Sequence, residues 1–179
     1  MVDGGVRRVF VGVHGSVGSL HALRRAVDEA RLRDAVLCSV IAWTPPGGAT
    51  LDRRVPEPHL RRVWMAAAMR TLRAAWDDAM GGVPADLHVF LRAERGQPGW
   101  VLTGLATLDT DLIVVGAGRS GPLRRLVHHS VARYCVARAE CRVLVVPAPP
   151  LARHLDHGVL PTLRQRRAVH DLLDDGHFA

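Results

Sequence analysis

The stretch VVGAGRSGPLRRLVHHSVA, residues 114–132, sets an apolar run against a glycine loop and then a serine that opens a helix. Leu112–Val115 reads as a strand dry on both faces. Gly116, Gly118 and Gly121 read as loop backbone clear of side chains, and Ser130-Val131-Ala132 as the start of a helix over Ser130–Ala139. Free N–H groups and the positive end of that helix's dipole then face the loop, an arrangement that can hold phosphate. The serine hydroxyl could donate to a phosphate oxygen or cap its own helix, and the residues leave both readings open.

Outward from the loop, the rest of the chain supplies strands and helices in alternation. Arg8–Val13, RVFVGV, is a short β-branched strand ending at the turn His14-Gly15-Ser16. Ser16 or Ser19 caps a helix on which Leu20, Leu23, Ala26, Val27 and Ala30 recur at spacings of three and four. Val36–Trp43 is a second strand, stopped by Thr44-Pro45-Pro46-Gly47-Gly48, and a loop runs to about Pro58. From His59 to Met80 helical spacing returns in Leu60, Val63, Trp64, Ala67, Leu72, Ala75, Trp76 and Met80, and Gly81-Gly82 ends it. Leu87, Val89 and Leu91 alternate with Asp86, His88 and Phe90, which predicts a strand at a sheet edge. A short helix is expected over Gly99–Leu108 and a last strand over Arg142–Val146.

The order βαβαβαβαβ predicts one α/β domain, a doubly wound, mostly parallel five-stranded sheet with helices on both faces. We expect it to occupy residues 1–148. Pro147, Pro149 and Pro150 break the pattern, and 149–179 reads as a polar tail with a helical stretch from Thr162 to Leu173. Ligands of such sheets bind beyond the carboxyl ends of strands where strand order reverses, which directs attention to the loops after Val13 and Val115.

Composition narrows the chemistry. Of 179 residues 48% are hydrophobic and 23% charged, so the chain can bury a core and is not of the disordered class. No apolar run approaches the roughly 20 residues that span a bilayer and no signal-peptide pattern precedes Arg7, so a cytoplasmic place is expected. Cys38, Cys135 and Cys141 lack C-x-x-C spacing and read as core thiols. The formal charge is +7 and every basic residue is Arg, but these are scattered, and one Tyr and three Phe give little for bases to stack on. Nucleic acid and membrane are therefore not expected partners. His14 and His128-His129 come without a carboxylate pair, and His154 and His157 sit in the polar tail, so no metal site is expected. No G-x-S-x-G, H-E-x-x-H or lysine-bearing phosphate loop occurs, and no catalytic residue stands out. Trp64 and Trp76 read as packing residues, while Trp43 and Trp100, near loop ends, could border a ligand cleft.

Taken together, Val114-Val115-Gly116, Ser130-Val131-Ala132 and Cys141–Pro147 (CRVLVVP) resemble the carboxyl-terminal signature of universal stress proteins, and Val11–Ser16 (VGVHGS) resembles their amino-terminal one. The resemblance covers about Arg8 to Pro147. It implies the adenine nucleotide alpha hydrolase-like sheet and a homodimer paired through the last strand, Arg142–Pro147. It also implies, for members that bind ATP, a motif of Gly, two residues, Gly, nine residues, then Gly with Ser or Thr. Counted from Gly116, the second glycine falls on Arg119 and the last pair on His129-Ser130; counted from Gly118, Gly121 is kept but the last pair becomes Val131-Ala132. His14 stands where nucleotide-binding members carry Asp.

By the same resemblance, ATP or another adenine nucleotide would put its base near Val13 and Val40 and its ribose near His14 and Val115. Its phosphates would lie over Gly116, Gly118, Arg119, Gly121, His129, Ser130 and Val131. The expected function is a universal-stress-type regulatory or binding protein that takes an adenine nucleotide at this degenerate loop without efficient turnover. The alternatives are a dimeric interaction protein with an unknown partner, its cleft closed by His129, and a slow ATPase built on Arg119 and Ser130.

Overall fold

The computed structural model describes residues 7–45, 58–118 and 130–149. Five strands, β1 (Arg8–Gly12), β2 (Val36–Trp43), β3 (Val89–Arg95), β4 (Asp111–Gly116) and β5 (Arg142–Val146), form one sheet in the order β3-β2-β1-β4-β5. Every pairing is parallel, so the sheet is wholly rather than mostly parallel. The chain winds one way from β1 to β3 and the other way from β4 to β5, which puts the reversal of strand order between β1 and β4.

Helices α1 (Val17–Arg33) and α2 (Pro58–Met80) cover one face; α3 (Pro98–Leu105) and α4 (Val131–Arg138) cover the other. Alternation along the strands feeds both cores. Val9 and Val11 join Leu23, Val27, Leu72 and Trp76 on the first face, whereas Phe10, Cys38 and Ile113 join Leu102 and Cys135 on the second. This two-sided burial is why β1 and β4 read as continuous apolar runs. Trp76 buries its indole in the first core and donates from Nε1 to Ser39 Oγ at 3.2 Å, which satisfies both polar groups away from water.

Helix ends are closed by identifiable groups. Ser16 caps α1, its hydroxyl accepting from Ser19 N, and Asp34 ends that helix in the left-handed region at φ 49°. The carboxyl end of α2 turns on Gly81, whose φ is 74°, while the Arg24 guanidinium of α1 donates to Ala79 O at 2.8 Å and Asp78 O at 3.4 Å. At the amino ends of the strands Asp111 is fully buried; Arg8 grips it in a two-pronged ion pair at 2.8 and 2.7 Å, and Leu108 N donates to it at 3.0 Å.

Several boundaries differ from the sequence reading. The third strand occupies Val89–Arg95 instead of the alternating stretch Asp86–Leu91, and helix α3 ends at Leu105, three residues before the expected Leu108. β4 gains Asp111 and Gly116, and α4 runs Val131–Arg138 with Ser130 and Ala139 as its caps. β1 ends at Gly12, although Val13 N still donates to Val40 O at 2.9 Å. The expected edge positions of β3 and β5 are observed. The tail helix Thr162–Leu173 lies outside the described residues.

Candidate functional site

At the carboxyl ends of β1 and β4 two helices open, one on each face of the sheet. α1 starts from Ser16 just after β1, and α4 starts from Ser130 on the far side of the loop that follows β4. Neither helix has an acidic residue in its first turn, so no carboxylate there offsets the positive end of its dipole. The dipole ends of both helices thus favour an anion in the crevice between them.

Gly116 makes this convergence possible. A Cβ on it would lie 2.9 Å from the carbonyl oxygen of Gly18, so only glycine lets β4 end against the first turn of α1. Gly118 follows with φ 81°, a left-handed conformation that L side chains rarely take, and a Cβ there would come 3.9 Å from Ser130 Oγ. The backbone thus leaves strand β4, turns on Gly118 and presents bare peptide beside the hydroxyl that opens α4. Ser130 Oγ accepts from Arg133 N at 3.5 Å, a long capping bond.

The other wall is the turn after β1. Gly15 takes φ 79°, and a Cβ on it would approach the Thr71 methyl of α2 at 3.8 Å. His14 N donates to Ser19 Oγ at 3.4 Å, Ser19 Oγ donates to Ser16 O at 2.9 Å, and Ser16 Oγ lies 3.2 Å from His14 Nδ1. The imidazole is exposed at its rim, yet the protein around it lowers its pKa below the ordinary 6.5 through desolvation. His14 is therefore neutral at pH 7 and can take part in hydrogen bonds as donor or acceptor.

Of the residues singled out by sequence, Gly116, Gly118, Ser130 and Val131 sit on one side of the crevice and His14 on the other. Val13, Val40 and Val115 lie beneath it with almost wholly buried side chains, Val13 in the α1/α2 core and the other two in the α3/α4 core. Arg119, Gly121 and His129 fall outside the described residues. Trp43 packs on Trp64 at 6.3 Å between ring centroids, at the carboxyl end of β2, while Trp100 is 65% exposed on α3. Sequence reasoning missed Gly18 and Thr71. A glycine inside a helix and a threonine on a long amphipathic one carry no local signal of a distant contact.

Thiol and metal chemistry find no support among the described residues. Burial pushes the Cys135 thiol up to about 11, and Cys38 and Cys141 are also raised by desolvation, so all three stay protonated at neutral pH. Among the described residues no group of three or more His, Cys, Asp or Glu could hold a metal ion. No helix among them is long and apolar enough to cross a membrane.

Comparison with known proteins agrees with this fold. Residues 5–147 match the Universal stress protein family. Among solved structures, a universal stress protein in complex with cAMP is 28% identical, with TM-score 0.55, over 81% of this chain and 99% of that one. Universal stress protein UspA from Lactobacillus plantarum is 22% identical, with TM-score 0.59, over 79% of this chain and 98% of its own. A putative universal stress protein from Pseudomonas aeruginosa is 24% identical, with TM-score 0.52, over 86% of this chain but 52% of its own. No curated protein matches the chain.

Proposed function

Because the chain belongs to the universal stress protein family, we propose that it is a regulatory binding module that takes an adenine nucleotide in the crevice between β1 and β4 and does not turn it over. The observation that carries this reading is the meeting of left-handed Gly118 with Ser130 Oγ at the point where strand order reverses. The cAMP bound to a 28% identical relative adds support for an adenine ligand.

Each group has a task. The first-turn N–H groups of α4 and the Ser130 hydroxyl receive phosphate oxygens, and the bare peptide at Gly118 lets them come close. The turn His14-Gly15-Ser16 offers a neutral imidazole and a hydroxyl to the sugar. Val13 and Val40 meet across the β1/β2 ladder below, where a base would rest on backbone and apolar surface. The neutral imidazole of His14, the general-base candidate in the described crevice, stands on the sugar side across from Gly118 and Ser130, so binding without hydrolysis is the reading. We also propose that the edge strand β5, with Arg142–Pro147, pairs with a second copy, since an apolar edge left open favours association.

Isothermal titration with ATP, AMP and cAMP tests the nucleotide reading. Saturable binding of at least one is expected in the wild type, weakened about tenfold or more by Gly118→Val, whose β-branched side chain cannot take the left-handed turn without strain. No binding of any of the three would refute it. Sustained phosphate release from ATP that disappears in Ser130→Ala would favour a slow ATPase instead.

A further inference from the structure

The sheet has a second open edge, β3, and its residues are arranged for a partner of one kind. Leu37 N donates to His88 O and Gly96 N donates to Trp43 O, which fixes the alternation along the strand. The even-numbered residues turn their N–H and C=O toward β2, so Val89, Leu91, Ala93 and Arg95 turn theirs outward from the edge. The side chains of Val89, Leu91 and Ala93 pack toward the α1/α2 core. Those of Phe90, Arg92 and Glu94 stand on the opposite face, where Phe90 is 59% exposed beside an open groove of about 500 Å³ floored by Val36 and Cys38. Arg92 pairs with Glu94 of its own strand at 2.7 Å, with side chains 46% and 34% exposed.

We infer that β3 pairs with β3 of a second copy, antiparallel, about a two-fold axis at Ala93. The outward backbone groups decide the hydrogen-bonded positions: Ala93 faces Ala93 of the copy, and Leu91 and Arg95 face each other twice. The residues between are then opposed at the closer, non-hydrogen-bonded spacing of about 4.5 Å between Cα atoms. In that register Arg92 lies opposite Glu94 of the copy, and the two-fold repeats the contact. Phe90 faces Gly96 of the copy, where a Cβ would meet Val101 Cγ2 at 2.9 Å and the Trp100 ring at 3.4 Å, so its exposed ring comes against the Trp100 indole, itself 65% exposed. Slipping the register one step, to an axis at Arg92 or at Glu94, sets Arg92 against Arg92 or Glu94 against Glu94, a like-charge opposition that disfavours both. The alternating charges thus repel most foreign strands, as charged edges do, while admitting this one. The contact is independent of the nucleotide crevice and of the β5 edge, so it adds one step to whatever assembly β5 forms.

Sedimentation velocity of the full chain over a wide concentration range tests this with the charge reversals Arg92→Glu and Glu94→Arg, alone and together. Each single reversal should raise the dissociation constant of one association step about tenfold or more, and the double reversal should bring it back toward the wild-type value. Circular dichroism would show all three variants folded, as expected for exposed positions. A chain that stays monomeric at the highest concentration, or an assembly that neither single reversal moves, would overturn the inference.

Discussion

At Gly116, glycine is required by a backbone contact that involves no ligand. A methyl group would sit 2.9 Å from the Gly18 carbonyl, and neither β4 nor the first turn of α1 can yield without losing its own bonds. Gly116→Ala should therefore destabilise the fold by about 1–3 kcal/mol, read from urea denaturation without nucleotide. Asp111 is a second such position. Asp111→Ala strips Arg8 and Leu108 N of their acceptor and should cost about 2 kcal/mol, below the full penalty of a broken buried pair because Arg8 can turn to water. His14 couples stability to pH. Its folded pKa is below the ordinary 6.5, so below that pH the unfolded chain binds more protons and stability falls as pH falls. The urea midpoint of the wild type should drop more between pH 7.5 and pH 5 than that of His14→Gln, with no difference between their slopes above the ordinary pKa. Equal slopes throughout would remove His14 from the account.

Among the elements, α3 lies on α4 because Gly99 has no side chain: a Cβ there would come 2.7 to 3.0 Å from atoms of Tyr134. Gly99→Ala should cost about 1–3 kcal/mol in wild type and much less in a Tyr134→Ala background, a coupling that a double-mutant cycle in urea measures. Equal costs in both would mean the helices do not meet as described. How far each element was legible follows from which faces are dry. β1, β2 and β4 are buried on both sides, so their apolar runs announced them. β3 buries one face and bares the other, and Arg92, Glu94 and Arg95 at its far end carry no apolar signal; the alternation over Asp86–Leu91 drew the reading early. The site was legible in part. Glycines and a serine at the right interval pointed to Gly118 and Ser130, because turn chemistry is local. Gly116 has a further reason to be glycine, its packing against Gly18, which looks in sequence like a glycine needed for phosphate. Thr71 against Gly15 was invisible, being a contact between segments more than fifty residues apart.

For the whole molecule, one sheet carries the proposed ligand crevice at its switch point and, among the described residues, a strand at each edge with no further strand beside it. The described part of the crevice offers an anion two helix starts, and the chain has no lysine to add there. The most direct measurement is the urea stability of the wild-type chain with and without AMP, ATP and cAMP. Ligand at a hundredfold over its dissociation constant adds about 2.7 kcal/mol to a protein that binds it only when folded. The account predicts a gain of that order with at least one of the three, reduced in Gly118→Val. A midpoint that none of the three moves would contradict a nucleotide site in the β1/β4 crevice.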